Sequence, residues 1–174
     1  MTASLSALRG VFIALGANLP SEIGSPQQTL EVTLQRLQER GVTVVARSPW
    51  YASEPVPPSD QPWFINGVAE VATDMKPSEL LALLHEIEAS LGRVRVKRWE
   101  ARVVDLDLLD YRGRIDAGPS PILPHPSMTV RAFVLLPLRD IAPHWRDPVG
   151  GRDVQSLIEA LPPGGAIKKA CETA

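Results

Sequence analysis

With 174 residues, 44% hydrophobic and 22% charged, the chain has the length for one globular domain with a substantial core and not for two full ones. A net charge of -2 at pH 7 excludes a global attraction to nucleic acid or an anionic membrane, so any basic function is local. One cysteine, Cys171, excludes an internal disulfide and a cysteine metal cluster; with no signal-like start and no apolar run of about 20 residues, a cytoplasmic chain is expected.

The first apolar run, "VFIALG" at 11–16, reads as a central buried strand closed by Gly16. Ser25-Pro26 is a helix start, with Ser as N-cap and Pro in the first turn. Leu30, Leu34 and Leu37 then recur at helical spacing up to Gly41. "VTVVARSPWYAS" (42–53) and "FINGVAEVATD" (64–74) have strand character, and the proline-rich "SEPVPPSDQP" between them predicts a shaped functional loop. A second helix is predicted from Pro77 to Gly92, with Leu80, Leu84, Ile87 and Leu91 facing inward. A strand over about 102–109 follows, then a proline-rich connection at 116–126, an amphipathic stretch at 128–143 and a short helix near "DVQSLIEAL".

This order, β-α-β-β-α-β, predicts a ferredoxin-like α/β sandwich with helices on one face of the sheet and the C-terminal additions on the other. The whole chain, 1–174, is expected to be a single domain with its core at about 11–160; residues 1–10 and 162–174 are expected to be peripheral.

The last predicted strand of the sandwich contains a conflict. In "RWEARVVDLDLLDY" (98–111), Asp105 and Asp107 share one face about 7 Å apart, while Val104, Leu106 and Leu108 occupy the other. Alone, such a pair reads as a solvated strand face, and a basic run alone as an exposed loop. Here the ten residues before the strand, "RVRVKRWEAR" at 93–102, hold five basic residues against one acid, Glu100. Arginine grips phosphate through bidentate hydrogen bonds, and Mg²⁺ takes one or two carboxylates plus phosphate oxygens and water. The combination points to a magnesium-nucleotide site. No glycine-rich phosphate loop or protein-kinase motif is present, so arginines and metal would hold the phosphates.

The segment "LGRVRVKRWEARVVDLDLL" resembles the signature of the hydroxymethyldihydropterin pyrophosphokinases of folate biosynthesis, close to G-R-x-R-x-x-R-W-G-P-R-x-x-D-L-D-[IL]. The resemblance extends to "FIALGANL", "YASEPVPPSDQPWFINGV" and "LPHPSMTVRAFVLLPLRDIAP", in order over about residues 11–143. It implies a monomeric enzyme that transfers pyrophosphate from ATP to the hydroxymethyl group of 6-hydroxymethyl-7,8-dihydropterin and releases AMP. It also implies two Mg²⁺ ions on Asp105 and Asp107, small-molecule partners only, and neither nucleic acid nor membrane.

By the same resemblance, Arg93, Arg95 and Arg102 join the two aspartates as catalytic residues. ATP is expected to meet His85, Glu88, Arg95, Arg98, Trp99, Arg102, Leu108, His125 and Arg131. The pterin is expected to meet Ser53, Pro55, Val56, Phe64, Asn66, Trp99, Asp105 and Phe133. Three positions depart from the pattern: Glu100-Ala101 replaces Gly-Pro, His85 stands where some relatives have glutamine, and Pro126 follows His125 where some have tyrosine. Two rival readings are a ligand-sensing or RNA-binding module without turnover, and a metal-dependent phosphohydrolase in which water replaces the pterin alcohol.

Overall fold

The computed structural model describes residues 10–92 and 103–171. Strand β1 (Val11–Ala17) leads to helix α1 (Pro26–Glu39), which starts as the sequence predicts. The Ser25 side chain accepts from the Gln28 backbone N–H, and the Gln28 side chain accepts in return from the Ser25 N–H, which satisfies two helix-end donors reciprocally. The chain then returns as β2 (Thr43–Arg47), β3 (Tyr51–Ser53) and β4 (Phe64–Ala72). Helix α2 (Pro77–Ser90) crosses back to β5 (Asp105–Tyr111). A single 3-10 turn (Met128–Val130), helices α3 (Ala132–Ile141) and α4 (Val154–Glu159), and a short strand β6 (Ile167–Lys169) complete the order.

The sheet runs β5-β1-β4-β3-β6, with β2 also paired to β4 and every neighbour antiparallel. This is the expected α/β sandwich. Val11, Ile13, Leu15, Leu106 and Leu108 pack beneath α1 and α2, in one core cluster with Leu30, Leu37, Leu80 and Leu84. Phe12, Val68 and Leu109 face the opposite way, against Val134, Leu135 and Leu138 of α3 and Val154 and Leu157 of α4.

Three local features differ from the sequence reading. The predicted strand 42–53 is two pieces on β4, because the chain leaves the ladder at Ser48-Pro49 and lays Trp50 over Gly67; a Cβ on Gly67 would lie 2.5 Å from the indole. Proline at 49 has no N–H to donate to a ladder. Strand β5 starts and ends later than expected, and Leu109 is an extra residue between the Ile13–Leu108 and Phe12–Asp110 pairs, a β-bulge. The bulge turns buried Asp110 toward the α3 side, where it accepts hydrogen bonds from the Trp145 indole and the Gly113 N–H. Finally, β6 adds an edge strand to β3 from the segment expected to lie at the periphery.

Candidate active site

The cleft lies on the α3 side of the sheet, where three strands bring their short side chains together. On β1 the inward residues on this face are Ala14 and Gly16, so the sheet floor is low there. Asp105 and Asp107 of β5 pair with Gly16 and Ala14 on one side, and Asn66 of β4 pairs with Gly16 on the other. Phe133 and Val134, in the first turn of α3, close the cleft from above. The alternation read from the sequence is the one that folds, since Leu106 and Leu108 are in the core under α2 while both aspartates are half-exposed in the cleft.

His125 stands beside the aspartates. Its backbone N–H donates to the Leu109 carbonyl at 2.7 Å, which docks the proline-rich connection on β5 next to the bulge. Its Nδ1 accepts from the Ser127 N–H at 3.2 Å, so the ring proton of the neutral form sits on Nε2, 4.0 Å from Asp107 Oδ1. Burial pushes the His125 pKa down and the Arg131 charge pushes the same way; the Asp107 and Asp105 carboxylates oppose them. The net direction is down, which favours the neutral ring at neutral pH, with its Nε2–H near Asp107 but at 4.0 Å too far for a direct hydrogen bond. Arg131 is the residue at the N-cap position of α3, and its guanidinium lies 5.6 Å from the centre of the ring of cleft-lining Phe133, a cation–π contact.

On the β4 side, buried Asn66 donates from Nδ2 to the Ser53 hydroxyl at 2.7 Å, which fixes the amide and leaves its oxygen on the Gly16 side. Phe64 lies two residues along β4, on the same face and paired with Ser53. Pro55 is buried and Val56 is 62% exposed at the start of the 54–63 loop. Buried Asn18, just past β1, donates to the Gln61 side chain at 3.2 Å and to the Pro62 carbonyl at 3.1 Å, and so ties the far end of that loop to the strand that floors the cleft.

Apart from Pro55 and Val56 in the 54–63 loop, the sequence-predicted residues divide into three groups. Asp105, Asp107, His125, Arg131, Phe133, Asn66, Ser53 and Phe64 gather around one cleft. His85, Glu88 and Leu108 do not turn their side chains to it. His85 is exposed on α2, Leu108 is in the core beneath that helix with only its backbone at the strand edge, and Glu88 is buried against β5 from the far side. Arg93, Arg95, Arg98, Trp99, Glu100 and Arg102 lie outside the described residues. Sequence reasoning missed Ala14, Gly16, Val134 and Asn18; the small residues at alternate positions of "ALGA" are the signal that could have found the floor.

Two carboxylates on one strand face offer hard oxygen donors. Among the described residues no group of three His, Cys, Asp or Glu could hold a metal ion unaided. That donor set fits Mg²⁺, which takes few protein ligands and fills its shell with water and phosphate oxygens, better than it fits zinc.

Residues 12–143 match the family model for 7,8-dihydro-6-hydroxymethylpterin-pyrophosphokinase. The chain is 41% identical over 156 residues to a 2-amino-4-hydroxy-6-hydroxymethyldihydropteridine pyrophosphokinase of Pseudomonas aeruginosa, covering 89% of this chain and 93% of that one. It is 39% identical over 155 residues to the enzyme of the same name from Methylorubrum extorquens, covering 88% and 94%. A crystal structure of Plasmodium falciparum HPPK-DHPS superposes with a TM-score of 0.63 at 14% identity, a likeness of fold; the match covers 87% of this chain and spans 43% of that longer one.

Proposed function

The chain belongs to the 7,8-dihydro-6-hydroxymethylpterin-pyrophosphokinase family, and from that premise we propose that the cleft between β5, β4 and α3 is where its reaction takes place. The chain is a pyrophosphokinase of folate biosynthesis that uses ATP. In this transfer the pterin hydroxymethyl oxygen forms a bond to the β-phosphorus of ATP. The bond from that phosphorus to the AMP oxygen breaks, and the hydroxyl proton is lost.

The observation that carries the assignment is the shared face of Asp105 and Asp107, opening on a cleft that also holds Asn66 and Phe133. Asp105 and Asp107 would hold Mg²⁺, which when bound neutralises triphosphate charge and orients the reacting groups. Phe64 and Phe133 offer aromatic faces to the flat pterin ring, and the Asn66 amide, locked by Ser53, reads its hydrogen-bonding edge. The backbone of Ser53 to Val56 supplies the remaining donors and acceptors. Neutral His125 and cationic Arg131 face the phosphates, and the β5 backbone at Leu108 faces the base. Arg93, Arg95, Arg98, Trp99 and Arg102 complete the nucleotide set. Asp105, next to the pterin, can take the proton of the attacking hydroxyl. The chain acts as a monomer on small molecules; no helix among the described residues is long and apolar enough to cross a membrane.

Incubation with MgATP, with and without 6-hydroxymethyl-7,8-dihydropterin, tests this reading by following AMP and ADP. AMP that forms only with the pterin is the expected result. Phosphate release without the pterin would instead support a hydrolase, and ligand binding without turnover a sensing module.

A further inference from the structure

Glu88 is an acidic side chain in an apolar layer. It sits near the end of α2 at 2% exposure, flanked in the helix by Ile87 and Leu84 of the main core. Its Oε1 accepts from the Leu106 backbone N–H at 2.7 Å. Leu106 is the residue between the two aspartates, and among the described residues β5 pairs with β1 alone, so within them its other side is a sheet edge.

In an antiparallel ladder the N–H and C=O of one residue point to the same side, and successive residues alternate. Since the Leu106 N–H turns outward to α2, Asp105 and Asp107 are the residues whose backbones bond to Gly16 and Ala14 of β1. The aspartate triplet is therefore held from both sides: the outer two residues by β1, the middle one by Glu88. The Glu88 side-chain oxygen meets a backbone N–H at 2.7 Å that would otherwise be left in an apolar layer, where an unmade hydrogen bond is costly. Without it, the outer N–H of Leu106 loses its acceptor and the aspartate triplet is held by β1 alone among the described residues.

We infer that Glu88 is a positioning residue for the aspartate pair, acting through the Leu106 N–H and the edge of β5 and not through contact with the nucleotide. The inference rests on the cleft being the reaction's site. Its energetic logic is that of groups behind metal ligands, whose loss costs roughly 10–100-fold in metal affinity or activity.

The test compares Glu88→Ala with Glu88→Gln, whose amide oxygen has the same reach and can still accept from Leu106. Glu88→Ala is expected to lower kcat about 10–100-fold and to raise the Mg²⁺ concentration for half-maximal rate, with KM for ATP and pterin within about twofold. Glu88→Gln is expected to recover most of both losses. Hydrogen exchange at the Leu106 amide reads the contact without turnover and should be fast in the Ala variant and slow in the wild type and the Gln variant. If Glu88→Ala does not fold, Glu88→Asp, one methylene short of Leu106, takes its place with the same expectations.

A Gln variant as impaired as Ala, an Ala variant with an unchanged Mg²⁺ requirement, or a loss confined to KM for ATP would each overturn the inference. A wild-type chain that makes no AMP overturns the assigned reaction instead, and Leu106 exchange still decides the role of Glu88.

Discussion

Gly16 has no room for a side chain: a Cβ there would lie 2.9 Å from Asn66 Oδ1, and Asn66 is itself pinned to Ser53. A methyl group would move the amide that we propose reads the pterin edge, and would raise the cleft floor between Asn66 and Asp105. Gly16→Ala is therefore expected to raise KM for the pterin about tenfold or more, since sub-ångström misplacement at a positioned site is costly. Steady-state kinetics with an unchanged KM would disprove the steric role. Asp107 makes the complementary case. Removing one of two like charges on a strand face relieves repulsion, so Asp107→Ala should keep its circular dichroism and melting temperature. Its turnover should drop at least about a hundredfold, more than second-sphere changes cost. Substantial residual activity would sink the metal assignment.

The elements that position these residues differ in how plainly the sequence announces them. Helix α1 carries its own start signal, and Ser25→Ala, by removing one half of a capping box, should cost about 1 kcal/mol and lower the melting temperature by about 2–4 °C. A calorimetric scan with no shift would show that the cap contributes nothing. Period-two alternation likewise placed Asp105 and Asp107 on one face and Leu106 and Leu108 on the other, because a buried strand face tolerates few alternatives. The break at Ser48 to Trp50 and the Leu109 bulge were not legible, since each depends on what lies across the sheet: Gly67 beneath the indole, and Phe12 opposite two residues. For the same reason "AIKKA" did not read as a strand; it has three residues in the ladder and borrows its order from β3. Glu88 shows the limit most clearly. Its helical position was plain, but only the packed structure reveals that it turns to the strand and away from the cleft.

At the scale of the whole molecule, one row of the sheet runs from the proposed reaction site to the last strand: Asp105, Gly16, Asn66, Tyr51 and Lys169, each paired with the next. At its far end the Tyr51 hydroxyl donates to Asp140 of α3, and the Lys169 ammonium stands 3.8 Å from the same carboxylate oxygen. This joins β3, β6 and the helix that carries Phe133. Burial, reinforced by the Asp140 carboxylate, pushes the Tyr51 pKa up to about 12 from 10.0. The folded state therefore holds this proton more tightly than the unfolded chain. The resulting stability is fully present below pH 10 and is lost as pH rises from about 10 to 12, because there the unfolded state releases the proton first. Tyr51→Phe has no proton to lose. At pH 8 it should be less stable than wild type by about 1.5–3 kcal/mol, the worth of a hydrogen bond to a charged acceptor. That gap should narrow between pH 10 and 12, as urea denaturation of both proteins at several pH values would measure. A gap that stays constant with pH would mean that the phenol proton is not what joins β3 to α3.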